Sequence, residues 1–422
     1  MMTKPIYIVI FLMLASCNSK SVFTKKNHWM NAETLLGNPD YQAISYGGYR
    51  TNTREVEATL IQLKEDMAIL AAMNIKFIRT YNVHFDEVKN LLKVISEMKK
   101  EKPGFEMYVM LGAWIDCKNA FTEYPPIHDQ ESERNLVEIE ETIRLANLYP
   151  DIVKVISVGN EAMVKWATGY FVTPNIILKW VNHLQNLKKE NKLPKDLWIT
   201  SSDNFASWGG GDAIYHVEAL TKLYHAVDYV SIHTYPMHDT HYNPVFWGIN
   251  EDEVHLTEKQ KVDAAMVRAQ KYAISQFKSV QKYMQSLGVN KPIHIGETGW
   301  TTYSNEQYGD EGSRAADEYK SGVYYKIMRN WSDKEGITCF YFEAFDELWK
   351  DAGNPKGSEN HFGLINLKSE AKYALWDLVD AGKFEGLTRD GKPITKTFQG
   401  NIQSLMQYVK VPPTLRQIST NK

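Results

Sequence analysis

The feature that most constrains this chain is a series of short apolar segments that alternate with longer amphipathic stretches. The predicted strands are Ala43–Arg50, Phe77–Val83, Met107–Ile115, Ile152–Glu161, Leu197–Asp203, Asp228–Pro236, Pro292–Trp300 and Ile337–Trp349. Continuous apolar runs of this length, separated by helices, are typical of parallel strands that are covered on both faces. The repeated strand–helix pattern therefore predicts an α/β fold, a (β/α)8 TIM barrel formed by a single catalytic domain.

The segments between these strands carry helix signals. Asp86 is a predicted N-cap of a helix with apolar residues on one face, and Thr173 followed by Pro174 predicts another helix start. Further helices are predicted over Arg54–Met73, Glu131–Leu148, Glu258–Leu287 and Gly312–Trp331. The alternative fold, an open doubly wound sheet, is disfavoured because no glycine-rich phosphate loop follows the first strand.

Charge and cysteine content exclude several classes of partner and site. The 48 lysines and arginines nearly balance the 51 aspartates and glutamates, so the basic face that nucleic acid requires is not expected. Three cysteines are too few for a disulfide-stapled scaffold or a multi-cysteine zinc site. His233, His238 and His241 match no zinc-ligand spacing, and we expect neither a metal nor a cofactor.

The N-terminal residues have the pattern of an export signal. Lys4 precedes a short apolar run, and the sequence Leu14-Ala15-Ser16-Cys17 places small residues before a cysteine. This pattern predicts a bacterial lipoprotein signal over residues 1–16, with Cys17 lipidated as the new N-terminus. The alternative is an ordinary secretory signal that ends near a chance cysteine.

Export and lipidation together predict how the chain is organised and where it resides. We expect a tether over residues 17–30, the barrel over 31–382, and a C-terminal extension over 383–422 that packs on the barrel. Because no other apolar run is long enough to span a bilayer, the lipid is the only expected membrane contact. The expected location is the bacterial outer membrane, on either its periplasmic or its surface face.

Two glutamates stand at the C-terminal ends of the fourth and seventh predicted strands. Glu161 ends the sequence Gly159-Asn160-Glu161, and Glu297 lies within Gly296–Trp300. Active groups of a TIM barrel come from these strand ends, so both carboxyl groups should face one cup. A protonated carboxyl and an ionised carboxylate can then flank a glycosidic bond, although surface ion pairs are the commoner role of glutamate.

The sequence resembles glycoside hydrolase family 17, the β-1,3-glucanases and their bacterial relatives. The matching motifs are Tyr46-Gly47, Ile78-Arg79-Thr80-Tyr81, Val158-Gly159-Asn160-Glu161, Gly296-Glu297-Thr298-Gly299-Trp300, Phe345-Asp346-Glu347, Lys350, Glu359 and Phe362-Gly363-Leu364. Two positions depart from the family pattern, because Thr301 and Leu348 stand where prolines are frequent.

The resemblance implies a retaining mechanism with Glu161 as general acid/base and Glu297 as nucleophile. Retention implies carboxyl groups about 5–5.5 Å apart. Asn160 would hydrogen-bond the sugar 2-hydroxyl, and Tyr235 would hydrogen-bond Glu297 and hold it ionised.

The same resemblance places further polar residues around the site. Tyr46, Glu347, Lys350 and Glu359 have counterparts there in family members. Lys350 with Glu347 and Glu359 is either an ion-pair network that tunes the nucleophile or a purely structural salt bridge.

Tryptophans and tyrosines supply the candidate sugar-binding surface, since pyranose rings stack their C–H faces on aromatic rings. The predicted substrate-binding residues are Asn160, Tyr46, Tyr81, Tyr235, Trp300, Glu347, Lys350, Glu359, Trp349, Trp114 and Trp208. Trp300 and Trp349 directly follow catalytic strands and are the preferred platform. Trp180, Trp198, Trp331 and Trp376 are assigned to the core.

These observations predict an exported, monomeric glycosidase that cleaves β-1,3-glucan, as polysaccharide or oligosaccharide, through a covalent glucosyl-enzyme. Endo and exo action both remain open. The competing hypotheses are a β-1,3-glucan transglucosylase that uses the same glutamates, a non-catalytic glucan-binding lipoprotein, and a hydrolase for β-1,4-glucan or mannan.

Overall fold

Eight parallel strands close into a barrel in the computed structural model, which describes residues 30–420. The strands are β1 (Gln42–Ser45), β2 (Ile75–Arg79), β3 (Tyr108–Ala113), β4 (Val153–Asn160), β5 (Trp198–Asn204), β6 (Val230–His233), β7 (Ile293–Gly299) and β8 (Cys339–Phe342). Each strand pairs with its sequence neighbours, and β8 pairs with β1 to complete the circle. The predicted TIM barrel is confirmed, with each strand inside the segment predicted for it or within two residues of it. Cys17, the predicted signal segment and most of the predicted tether lie outside the described residues.

Helices cover the outside of the barrel. They are α1 (Leu60–Ala72), α2 (Asp86–Glu101), α3 (Arg134–Leu148), α4 (Pro174–Lys189), α5 (Glu218–Ala226), α6 (Glu258–Ser286), α7 (Glu318–Glu335) and α8 (Trp376–Asp380). Within residues 30–420, none of the helices combines the length and apolarity needed to cross a bilayer.

Four helix starts differ from the sequence-based expectation. The helix expected from Glu131 begins at Arg134, because Glu131 ends a short strand that pairs with Cys117–Lys118. Phe85, not Asp86, is the N-cap of α2, and Asp86 lies in the first turn, where a carboxylate still favours the helix dipole. The helix expected from Arg54 begins only at Leu60, because Thr59 and Gln62 form a capping box there. The helix expected from Gly312 begins at Glu318, after Asp317 accepts the Lys320 backbone N–H.

The barrel interior is packed with side chains at its N-terminal end. Phe77 of β2 and Phe340 of β8 meet there with ring centroids 5.0 Å apart. A short helix, Ala32–Leu35, packs its buried residues against this cluster and covers the N-terminal mouth of the barrel. The polar strand ends that carry chemistry therefore lie at the opposite, C-terminal end.

The C-terminal segment packs on α1 through a buried cluster of charges. Arg389 is fully buried and its Nε lies 3.0 Å from Oδ1 of Asp66. Nη2 of Arg50 contacts the same Asp66 oxygen at 2.9 Å, and the Tyr46 hydroxyl donates to the other oxygen at 3.0 Å. Asp66 thus joins strand β1, helix α1 and the segment after residue 383 in one buried site.

Replacing Asp66 with Asn should lower the free energy of unfolding by about 3–5 kcal/mol, because two largely buried guanidinium groups lose their counter-charge. Urea unfolding followed by tryptophan fluorescence measures the change. The same substitution at the exposed Asp40 is the control and should change stability by no more than about 0.5 kcal/mol. A loss below about 1 kcal/mol for Asp66→Asn would contradict the role given to this cluster.

Candidate active site

A cleft with a volume of about 780 Å³ opens at the C-terminal ends of the barrel strands. Most of the residues predicted for the site line it together. They are Tyr46, Tyr81, Trp114, Asn160, Glu161, Glu297, Glu347, Trp349, Lys350 and Glu359. Both glutamates therefore share one cavity, as their positions at the strand ends predict.

Glu297, on β7, is held by three charged or hydroxyl donors. Nη1 of Arg79 lies 2.8 Å from Oε2, and the Tyr81 hydroxyl donates to the same oxygen at 2.8 Å. The Tyr235 hydroxyl donates to Oε1 at 2.7 Å, which places Tyr235 where the resemblance puts it. Every one of these contacts favours the ionised carboxylate.

Arg79 joins the ends of three strands. Its side chain is only 1% exposed, and besides Glu297 it donates to the backbone carbonyl of Gly296 at 2.6 Å. Its Nη2 donates to Oδ1 of Asn160 at 2.6 Å. Because the amide oxygen of Asn160 is occupied in this way, its NH2 group is the part left to donate to a ligand in the cleft.

Glu161 has an unusual backbone. It follows Gly159, which has φ +80°, and itself has φ +47°, a left-handed conformation that costs a non-glycine residue on the order of 1–2 kcal/mol. Its N–H donates to the Ser202 carbonyl at 3.0 Å. Two residues later, the N–H of Met163 donates to the buried carboxylate of Asp203 at 2.6 Å. Strand β5 thus fixes the turn that aims Glu161 into the cleft.

The pKa values of the two catalytic candidates are shifted in opposite directions. Burial raises the pKa of Glu161 to about 8, and the negative charge of Glu297 adds to that rise. His233 lies 3.1 Å from Glu161 through Nδ1 and 2.8 Å from the Ser202 hydroxyl through Nε2. Burial lowers the pKa of His233 to about 4, so this ring is neutral at pH 7 and can accept a hydrogen bond from the protonated Glu161.

Glu297 is shifted in the other direction. Burial opposes its ionisation, yet its pKa is lowered by His233, by the Arg79 guanidinium and by hydrogen bonds from Tyr235 and Tyr81. Since His233 is neutral at pH 7, we assign the lowered pKa of Glu297 at that pH to Arg79 and to the two tyrosine hydroxyls. At neutral pH the cleft therefore holds one protonated carboxyl beside one carboxylate, the pattern that separates an acid from a nucleophile.

The lysine predicted near the nucleophile has a different pair of partners from the one expected. Nζ of Lys350 lies 2.9 Å from Glu343 and 3.2 Å from Glu347, both buried. Glu359 instead lies 3.9 Å from His238 and is half-exposed. The expected Lys350–Glu347 pair is present. Among the described residues no ion pair joins Lys350 to Glu359, although the Lys350 charge opposes the rise in the pKa of Glu359 that burial causes. Glu343 was missed because the sequence marks it only as one of several acidic residues that end the last strand.

Two of the four tryptophans assigned to sugar binding belong to the core. Trp300 and Trp208 are fully buried, and their indole N–H groups donate to backbone carbonyls of Ala315 and Ser231 at 2.8 and 2.9 Å. Trp300 misses the cleft because successive side chains along a strand alternate between its two faces. Glu297 points inward, and Trp300 is three residues further on. Trp300 therefore points outward, against Trp247 and Tyr324.

Trp114 and Trp349 do line the cleft. Trp349 packs its ring edge on Tyr49 with centroids 5.9 Å apart, and the guanidinium of Arg54 covers its face at 4.3 Å. Trp114 packs beside Tyr170 with centroids 5.3 Å apart. Both are partly exposed, which leaves ring surface available to a ligand.

Comparisons with known proteins point to one class of protein. A family model described as the BtgE/BtgC glycoside hydrolase domain matches residues 43–363. The crystal structure of an endo-laminarinase from Formosa Hel1_33_131 is 61% identical, with a TM-score of 0.91, and the match covers 91% of this chain and 98% of that one.

More distant relatives are fungal. A glucan 1,3-beta-glucosidase from Arthroderma benhamiae is 26% identical over 278 residues, which is 64% of this chain and 71% of the relative. A glycoside hydrolase family 17 beta-1,3-glucanosyltransferase from Rhizomucor miehei is 17% identical, with a TM-score of 0.51 and coverage of 79% and 96%. The last comparison shows the shared fold.

Replacing Glu297 with Gln should lower the pKa of Glu161 from about 8, because the neighbouring negative charge that opposes its ionisation is removed. Carbon-13 NMR titration of protein labelled at glutamate carboxyl carbons measures this pKa. Loss of the resonance in Glu161→Gln assigns it. The exposed Glu335→Gln should leave the titration unchanged, and an unchanged value in Glu297→Gln would refute the coupling.

Proposed function

The chain belongs to the BtgE/BtgC glycoside hydrolase family, and we propose that it cleaves β-1,3-glucan with retention of anomeric configuration. The observation that carries the proposal is the protonated Glu161 beside the ionised Glu297 in one cleft. Family membership supports hydrolysis of a glycosidic bond. The 61% identical endo-laminarinase supports β-1,3-glucan as the substrate and internal bonds as the sites of cleavage.

The first chemical step forms a glucosyl-enzyme. The carboxylate of Glu297 attacks the anomeric carbon while Glu161 donates its proton to the glycosidic oxygen, so the C–O bond breaks and the leaving chain departs as an alcohol. Arg79 and the hydroxyls of Tyr81 and Tyr235 hold the nucleophile ionised and oriented before attack. Asn160 directs its NH2 group to the sugar 2-hydroxyl, a contact that strengthens in the transition state.

The second step uses the same residues in reversed roles. Once Glu297 is esterified it no longer carries the charge that raises the pKa of Glu161, so the ionised form of Glu161 becomes more favourable. Glu161 then removes a proton from water, the water oxygen bonds to the anomeric carbon, and Glu297 leaves as a carboxylate. In the first step neutral His233 is placed to hold the protonated Glu161 side chain by accepting its hydrogen bond.

The protonation states also define the pH range of activity. Glu297 must be ionised, so turnover falls when the pH drops through its lowered pKa. Glu161 must be protonated in the free enzyme, so kcat/KM falls as the pH rises through about 8.

Glu297→Gln should reduce turnover of linear β-1,3-glucan by about 10³-fold or more, because the amide cannot form the glycosyl ester. Reducing-end release and product sizing over time measure it, with linear β-1,4-glucan incubated in parallel. Wild-type enzyme should shorten only the β-1,3 polymer, and proton NMR should show the β-anomer first.

Glu335→Gln, a surface change of the same type, should keep wild-type turnover. Near wild-type turnover by Glu297→Gln would show that Glu297 is not the nucleophile. Products longer than the substrate would assign transglucosylation instead of hydrolysis, and equal cleavage of both polymers would contradict the substrate assignment.

We propose in addition that the enzyme acts as a lipid-anchored monomer at the bacterial outer membrane. The sequence Leu14-Ala15-Ser16-Cys17 supports lipidation of Cys17. These N-terminal residues lie outside the described part of the chain.

Cys17→Ser in the full chain should therefore move the protein from the membrane fraction to the soluble fraction of a bacterial host and abolish its labelling by radioactive palmitate. Cys117→Ser changes a buried thiol far from the signal and should leave both properties intact. Equal membrane association of wild type and Cys17→Ser would exclude the lipid anchor.

A further inference from the structure

Three aromatic rings lie together on the Glu161 side of the cleft, and the proposed mechanism uses none of them. Trp114 and Phe121 line the cleft, and Tyr170 packs against both. Trp114 follows β3, Phe121 lies in the loop between β3 and α3, and Tyr170 lies in the loop between β4 and α4. The Phe121 and Tyr170 rings stack with centroids 5.4 Å apart and planes 25° apart. Trp114 lies 5.3 Å from Tyr170 and 6.3 Å from Phe121, so the three rings form one aromatic cluster.

The side chain of Phe121 is too exposed to add much stability to the fold, and its backbone conformation is unfavourable. It is 65% exposed, and its φ of +58° places a bulky residue in the left-handed region. A large apolar ring that lines a cleft in an unfavourable backbone conformation is more typical of a binding surface than of a core.

The loop that carries Phe121 is fixed in place. Strand segments Cys117–Lys118 and Ile127–Glu131 pair as a hairpin beneath it. Nη2 of Arg134 donates to the Ala120 carbonyl at 3.1 Å and to Asp116 at 2.7 Å. The ring is therefore presented to the cleft before any ligand binds, which lowers the ordering cost of stacking.

The hairpin is also bonded to the loop that follows Glu161, because the Cys117 N–H donates to the Tyr170 carbonyl at 3.1 Å. The aromatic cluster therefore lies on the β3–β4 side of the barrel, with Glu161. Glu297 lies on β7 and Trp349 follows β8, on the opposite side of the circle of strands. Charge effects agree, since after burial Glu161 raises the pKa of Tyr170 more than Glu297 does.

Position relative to the two glutamates identifies which part of the chain reaches the cluster. Glu297 bonds to the anomeric carbon, and Glu161 protonates the oxygen that leaves, so the direction from Glu297 to Glu161 leads toward the leaving chain. We infer that the cluster of Trp114, Phe121 and Tyr170 binds the glucosyl units on the leaving-group side of the scissile bond by stacking on their C–H faces. This inference rests on the proposed β-1,3-glucan hydrolysis.

Phe121→Ala tests the inference with two substrates that differ only in what leaves. With laminarihexaose the leaving group is a sugar chain that can stack on the cluster. With β-laminaribiosyl fluoride the leaving group is a fluoride ion, which makes no stacking contact. We expect Phe121→Ala to lower kcat/KM for laminarihexaose by about tenfold, as loss of an aromatic stacking partner does, and to change fluoride release less than twofold.

The position of cleavage gives an independent readout. With laminarihexaose labelled by oxygen-18 at its reducing end, Phe121→Ala should release shorter labelled fragments, because a weaker leaving-group side lets the chain slide toward the other subsites. Phe121→Tyr retains a ring and should restore the wild-type fragment pattern. Tyr124→Ala removes a ring that is 62% exposed in the same loop but is not among the described residues lining the cleft, and should behave as wild type.

The outcomes separate the inference from the function on which it rests. Wild-type enzyme that releases no fluoride and cleaves no hexaose contradicts the proposed function itself. Wild-type activity with an unchanged Phe121→Ala variant overturns the aromatic platform. An equal loss on both substrates overturns it as well, because that result indicates damage to the fold or to the glutamates.

Discussion

The active site depends on one buried cation. Arg79 reaches from β2 to the ends of β4 and β7, where its guanidinium binds Asn160 and Glu297 at the same time. Burying a guanidinium is costly unless its donors are satisfied. The carboxylate, an amide oxygen and a backbone carbonyl compensate Nη1 and Nη2, while the buried Nε has no hydrogen-bond partner. The same contacts fix two strand ends relative to each other, so charge balance and geometry are set by a single side chain.

The difference between the two glutamates follows from this arrangement. Both are buried, which by itself would favour the protonated form of each. Only Glu297 receives Arg79 and two tyrosine hydroxyls, so it alone keeps its charge, and that charge then helps to keep Glu161 protonated. One cation thus distinguishes two carboxyl groups of identical chemistry, and the distinction disappears when the nucleophile becomes an ester.

Strand periodicity explains both the success and the failure of reading this site from sequence. The eight apolar runs and the position of Glu161 and Glu297 at strand ends are local features, and they predicted the barrel and the shared cleft. Trp300 was wrongly assigned to the sugar because proximity to a catalytic strand was counted without its parity. Arg79 stood inside a recognised motif, but nothing local shows that a side chain of β2 crosses to β7. Phe121 was missed because neither a left-handed φ nor exposure beside the cleft is encoded in its immediate neighbours.

The helix Ala32–Leu35 covers the barrel end opposite the cleft, and Met30 packs against the same cluster. This stretch of chain therefore lies at the rear of the catalytic domain. An enzyme held at that point to a particle, a resin or a cell envelope would present its open groove outward, with room for a long polymer to lie across it. Attachment at the rear of the barrel therefore leaves the cleft accessible to a bulky polymer.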